Sequence, residues 1–252
     1  MTEQVHSTPL ARPLARQARI AGLLYLMVIA GGIFAEGVVR GSLIVQGDAA
    51  ATAQAIAASE LLWRWGLAVH LLYLVAALVV NVIVYGLLKP VQATLARVAL
   101  VCAMVGLAIE AVTLQHLLVP LAMVEEGGAL AALGEGQRQA LAYLAVRLFA
   151  SGWGFALLFF SGFCVLVGVL IWRSRLIPRV IGAMMMVAGI CYLVNSVALI
   201  LSPGLSNLLV PWILLPCFLG ELSLALWLVV KGVKVEAAQQ ATSVSTKEHL
   251  PA

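Results

Sequence analysis

Residues 20–40 read IAGLLYLMVIAGGIFAEGVVR. The first charge in the run is Glu36, and Arg40 follows one turn later. A membrane-crossing helix needs about 20 predominantly apolar residues at a rise of about 1.5 Å each. The run therefore reads as a transmembrane helix that carries a carboxylate before it has left the bilayer. The residues before it, 1–18, are polar, basic and proline-containing, and are expected to be disordered. They resemble the start of a secretory signal, but the apolar run exceeds the roughly 7–15 residues of a cleavable one and no small-residue site closes it. The helix is read as uncleaved.

The pattern repeats along the chain. Apolar segments at about 20–39, 65–88, 95–120, 141–172, 177–201 and 209–230 are each long enough to cross a core of roughly 30 Å. Of the 252 residues, 63% are hydrophobic and 10% charged, against roughly 25% charged in a soluble domain. Mean hydropathy is +1.07. A soluble fold is excluded. The fold class expected is all-α, a six-transmembrane helix bundle over residues 19–232, with a second disordered tail at 233–252. The fourth segment exceeds what a span requires, so its first turns are expected to project or the helix to tilt.

Orientation follows from the basic residues. Arg12, Arg16 and Arg19 precede the first segment, Lys89 and Arg97 flank the second loop, Arg173, Arg175 and Arg179 mark the fourth, and Lys231, Lys234 and Lys247 follow the last. Those eleven of fifteen fall on one side, which places both termini in the cytoplasm of a cell with the chain in its inner membrane. Arg40, Arg64, Arg138 and Arg147 fall toward the outer face with Glu125, Glu126 and Glu135. Between the first two spans, Asp48 is placed to cap an alanine-rich stretch too short to cross, read as an interfacial helix. Trp63 and Trp65 then read as an interfacial aromatic belt.

Net charge is +4, but the basic residues form no patch interleaved with aromatics, so nucleic acid is not an expected partner. The lipid bilayer is. Cys102, Cys164, Cys191 and Cys217 lie within apolar segments without CxxC spacing, which signals neither a disulfide framework nor a zinc site. No HExxH, GxSxG or Walker motif is present, so neither a catalytic residue nor a cofactor is assigned.

What carries functional information is the set of polar groups at depth. Taking 1.5 Å per residue from the cytoplasmic boundary, Glu36 and Asn195 lie at roughly 24 Å, His70 and His116 at about 27 Å, Glu110 near 18 Å and Glu221 near 14 Å. Such groups cost a few kcal/mol in lipid and should face the interior, a partner or a cavity. Spacing supports this. Gly22, Tyr25, Ile29, Gly32 and Glu36 share one face, as do Ala96, Ala99, Ala103, Gly106 and Glu110, and Arg147, Ser151, Gly154, Ser161 and Gly168. Small residues let helices approach, so three helices aim a charge along a packing seam. His70 and Asn81, eleven residues apart, share a face, whereas His116 points about 240° away from Glu110 unless the helix distorts near Pro120.

Plainer readings stand beside these. Glu36 and Arg40 form an acid-first (i, i+4) pair, Glu110 and Arg147 could form a structural ion pair, and Asn81 and Asn195 could serve as interhelical hydrogen-bonding groups. For Glu221 the sequence offers no partner.

The stretches ARIAGLLYL, FAE followed by VR, LIV-x-GDA, and YGLLKPV at 85–91 resemble the bacterial membrane family catalogued as domain of unknown function 4386. The resemblance implies a multi-pass bacterial membrane protein and carries over no activity.

Three functional classes follow. The first is binding or transport of a small solute or ion through an outward-facing polar cavity lined by Glu36, His70, Glu110, Arg147, Asn195 and Glu221. The second is an accessory or interaction protein whose charges are structural ion pairs. The third is a haem- or metal-dependent redox protein using His70 and His116.

Overall fold

Lipid offers backbone groups no hydrogen-bonding partner, so a spanning segment must satisfy its own amides. Accordingly, every regular element is a helix among the residues that the computed structural model describes, 11–124, 132–174 and 176–233. The chain runs through α1 (Ala11–Gly32), a π-helical segment (Ile33–Arg40), α2 (Gly41–Leu43), α3 (Ala49–Ala58), α4 (Glu60–Leu88) and α5 (Ala93–Leu114). A 3₁₀ turn (Gln115–Leu118), α6 (Val119–Val124), α7 (Glu135–Ser174), α8 (Arg179–Leu201), α9 (Pro203–Leu209) and α10 (Leu214–Val230) complete it.

Among the described residues, five helices are long and apolar enough to cross a membrane: Leu14–Leu43, Glu60–Leu88, Ala93–Met123, Glu135–Ser174 and Arg179–Leu201. With 17 residues, α10 is shorter, about 26 Å at 1.5 Å per residue. These six helices pack in a closed ring, α1 on α4, α4 on α5, α5 on α7, α7 on α8, α8 on α10 and α10 back on α1.

The burial pattern is that of a protein in lipid. On α4, Leu71 is 56% and Val75 65% exposed, while His70, Tyr73 and Asn81 are buried. Polar groups face inward and aliphatic ones outward, the reverse of a soluble surface helix. Packing across the ring relies on small residues. A Cβ on Gly168 would lie 2.6 Å from the Gly182 carbonyl oxygen, and one on Gly182 2.8 Å from that of Gly168. The α7 and α8 backbones meet there, which only glycine on both sides permits.

Contacts sort the connections into two ends. At one, Arg173 Nη1 donates to Gln92 Oε1 at 2.7 Å, and Ala18 and Val233 belong to one buried cluster. At the other, the Gly47 amide donates to the Tyr143 hydroxyl at 2.7 Å and Trp63 Nε1 donates to the Leu117 carbonyl at 2.8 Å. Arg16, Arg19, Lys89, Arg97, Arg173, Arg179 and Lys231 gather at the first end. Arg12 belongs to the first turn of α1, whereas Arg175, Lys234, Lys247, Glu125 and Glu126 lie outside the described residues.

Several expectations change. Helix α1 begins at Ala11, inside the segment read as a disordered tail, because Leu14 and Ala18 pack onto the same buried cluster as Leu224 and Leu228. Residues 1–10 and 234–252 lie outside the description. Asp48 caps α3 by accepting from the Ala51 amide at 2.9 Å. Trp63 is not a belt residue: it is 2% exposed, packed with Ile56 and Leu117, whereas Trp65 is 58% exposed. Pro120 cannot donate a helical hydrogen bond, and the helix tightens to 3₁₀ over Gln115–Leu118 just before it.

Candidate functional site

From Ile33 to Arg40 the first membrane helix widens to a π-helix, in which the Gly41 amide reaches back five residues to the Glu36 carbonyl. Relative to an α-helix, the residues that follow are rotated backward, and π-helical turns of this kind concentrate at functional sites. Arg40 consequently turns inward and is only 5% exposed. Its Nε donates to Glu36 Oε2 at 2.9 Å, and Nη2 pairs with Glu36 Oε1. Nη2 also lies 3.0 Å from His70 Nδ1, and the Phe149 ring covers the guanidinium at 4.9 Å.

The donors fix the histidine. A guanidinium has no acceptor, so His70 Nδ1 must accept and the ring proton sits on Nε2. That nitrogen is 3.0 Å from Glu110 Oε1. The Tyr73 hydroxyl, 2.6 Å from Nε2, donates to the same Glu110 oxygen at 2.7 Å. His70 is fully buried, stacked on Tyr73 with ring centroids 4.3 Å apart and edge-on to Phe149. One chain of hydrogen bonds thus runs from Glu36 through Arg40 and His70 to Glu110, tying α4 and α5 to the π-helical end of the first membrane helix.

A second carboxylate is held differently. On α10, Glu221 accepts from Tyr25 of α1 at 3.0 Å through Oε2 and from Tyr192 of α8 at 2.6 Å through Oε1. Neutral hydroxyls on both oxygens satisfy the carboxylate without supplying a counter-charge.

Between these two arrangements lies a cavity of about 320 Å³. Glu36, Glu110 and Glu221 line it, with Tyr25, Tyr73 and Asn81. The rest of the wall is mostly apolar and comes from α1, α4, α5, α7, α8 and α10. Each helix of the ring contributes to the wall, and the seams that the sequence marks on α1 and α5 form part of it through Tyr25, Ile29, Gly32, Glu36, Gly106 and Glu110.

The structure distributes the sequence candidates unevenly. Glu36, Glu110 and Glu221 converge on the cavity; His70 stands behind Glu110 as its hydrogen-bond partner. Arg147 does not join them. It is exposed, and the partners that Glu110 does have, both on Oε1, are His70 and Tyr73. The buried face of α7 at this level runs through Ala142, Ala145, Val146, Phe149 and Gly152, which leaves Arg147 about 100° past Val146. Asn195 is buried near α9, with Ser206 Oγ donating to its Oδ1 at 3.4 Å, and does not line the cavity. Tyr25, Tyr73 and Tyr192 are the residues that sequence reasoning passed over as site members.

The histidine pair gains no support as a metal site. Both His70 nitrogens are engaged, and His116 Nδ1 sits 2.8 Å from the Thr113 carbonyl. Among the described residues no group of three or more His, Cys, Asp and Glu side chains is arranged to hold a metal ion. The four cysteines are free thiols.

Comparisons with curated proteins and with solved structures return no match. A family model does match, over residues 20–232, a range that runs from the start of the opening apolar stretch to the end of the helical ring. The chain therefore belongs to the family described as Domain of unknown function (DUF4386).

Proposed function

We propose that the chain is a six-span protein of the bacterial inner membrane that binds a small solute or ion in its central cavity. In this reading α10 is the sixth span, both termini are cytoplasmic, α3 lies along the outer interface and the cavity faces outward. The gathering of Arg16, Arg19, Lys89, Arg97, Arg173, Arg179 and Lys231 at one end supports the orientation. The five long apolar helices support the membrane setting.

The observation that carries the binding reading is the convergence of three carboxylates on one cavity. An ionisable group within a membrane is expensive, and a cavity that collects several is a substrate or ion pathway by default. The volume falls within the ordinary range for small-molecule sites. The test is thermal stability of the purified protein against a panel of small solutes and ions, with Ala77→Trp as the control. Ala77 lines the cavity, so the tryptophan fills it and a solute-dependent shift should vanish. A panel without effect on either protein contradicts the reading.

The closed Glu36–Arg40–His70–Glu110 network favours a second reading, in which the polar groups specify helix packing in an accessory protein. Under it, His70→Ala changes stability or assembly and leaves every solute response unaltered.

A further inference from the structure

Resting on the cavity reading above, we propose that the ligand is an amphiphilic organic cation: an ammonium group on a compact aromatic or alkyl body, taken up sideways from the bilayer.

Charge comes first. Among the described residues, the cavity wall holds Glu36, Glu110 and Glu221 and no Lys or Arg. Arg40 faces away, gripped by Glu36 and His70 under the Phe149 ring, so its charge is spent on Glu36. Glu110 and Glu221 receive only neutral donors from tyrosines and from the Nε2–H tautomer of His70. Neither carboxylate has a counter-ion among the described residues, so an entering cation supplies the compensation that protonation would otherwise provide.

Two groups at the wall are left open. Both hydrogen bonds to Glu110 end on Oε1, and among the described residues Oε2 has no partner. Asn81 is 4% exposed and lines the cavity, yet no described residue hydrogen-bonds its side-chain amide. Neither is among the fully buried side-chain atoms that lack a partner in the described residues, which are Ser196 Oγ and Trp227 Nε1, so both are open to the cavity. A carboxylate oxygen that accepts and an amide oxygen that accepts are what an ammonium N–H needs.

The remainder of the wall suits the body of such a ligand. Tyr25, Tyr73, Trp153, Phe160, Tyr192 and Phe218 are six of its 21 residues, whereas Phe, Trp and Tyr make up 7% of the chain. That concentration of rings around acids combines cation–π attraction with apolar contact. Among the large hydrophobic residues of the wall only Ile33 and Phe218, at 53% and 38%, are exposed. They stand on the π-helical segment and on α10, which places apolar wall residues at the bilayer-facing surface of these two elements. A hydrophobic body partitioned in the bilayer reaches the cavity from there.

The experiment is calorimetric titration of the full chain in phosphatidylcholine nanodiscs with phenethylammonium, its neutral counterpart 2-phenylethanol and the anion 3-phenylpropanoate, with sodium chloride alone as the inorganic-cation arm. Phenethylammonium should bind at least about tenfold more tightly than the alcohol, with no binding of the anion. Glu110→Gln keeps an acceptor for Tyr73 and His70 and should bring amine and alcohol within about twofold of each other. Asn81→Leu should weaken the amine about tenfold and the alcohol by less. Equal binding of amine and alcohol to the unmodified protein overturns the cation inference and leaves the cavity reading standing. So does displacement of the amine by millimolar sodium. Absence of binding by every probe overturns both, and the comparison within the unmodified protein needs no variant to fold.

Discussion

Arg40 stands between Glu36 and His70, two hydrogen bonds to the first and a 3.0 Å contact to Nδ1 of the second, and its guanidinium joins the π-helical end of the first membrane helix to α4. Because it can only donate, it dictates the histidine tautomer, and the tautomer in turn aims Nε2–H at Glu110 on α5. Three helices are held in register by one cation.

Arg40→Ala should therefore cost about 3 kcal/mol, the lower end for breaking a buried ion pair, since the Glu36 side chain is 33% exposed and water relieves part of the loss. Arg40→Lys should recover less than half of it. A single ammonium cannot fork onto Glu36 and reach His70 together. Denaturation midpoints in detergent compare the three proteins.

Glu110 should be coupled to Tyr73 and uncoupled from Arg147. A double-mutant cycle of Glu110→Ala with Tyr73→Phe should give an interaction of about 1.5–3 kcal/mol, as for a buried hydrogen bond to a carboxylate. The same cycle with Arg147→Ala should be additive within about 0.5 kcal/mol, because Arg147 is exposed on α7.

At Glu221 the two substitutions should separate. Gln keeps one acceptor and gives the other tyrosine a donor, so stability should change by less than about 1 kcal/mol. Leu leaves both the Tyr25 and Tyr192 hydroxyls without their acceptor, at about 2–4 kcal/mol. Thermal melts of the two variants decide it, and equal losses would show that charge rather than hydroxyl pairing governs the site.

Gly168→Leu should separate α7 from α8, since a branched side chain would occupy the space of the Gly182 carbonyl. The expected cost is about 3 kcal/mol, beyond ordinary overpacking because the clash is with backbone. Gly232→Ala tests a different demand: its φ is +67°, and replacement should cost about 1 kcal/mol.

Much of this arrangement was readable from the residues. The bilayer forces long apolar runs, so the helix positions followed, and the Gly22–Tyr25–Ile29–Gly32–Glu36 seam runs to the cavity because its small residues must meet neighbours. Other features lay outside a fixed helical period. A π-helical turn at Ile33–Arg40 leaves no mark in an i, i+3, i+4 pattern, and it is what buries Arg40. On α7 the steps from Arg147 to Gly168 follow a seven-residue repeat, which drifts about 20° per heptad against a straight helix. Gly168 is buried and Arg147 is not. The partners of Glu221 belong to helices some 30 and 200 residues away in the chain, and no local pattern encodes which helices close a ring.

The central claim, an accessible cavity at the level of Glu110 and Glu221, is tested most directly by cysteine reactivity. In a chain whose four native cysteines are replaced by alanine, Ala77→Cys lines the cavity and Ala103→Cys is buried at 0% exposure outside it. With 2-aminoethyl methanethiosulfonate on membrane-embedded protein, modification at Ala77→Cys should go to completion while Ala103→Cys stays at the cysteine-free background. Two positions equally unreactive would contradict an accessible cavity.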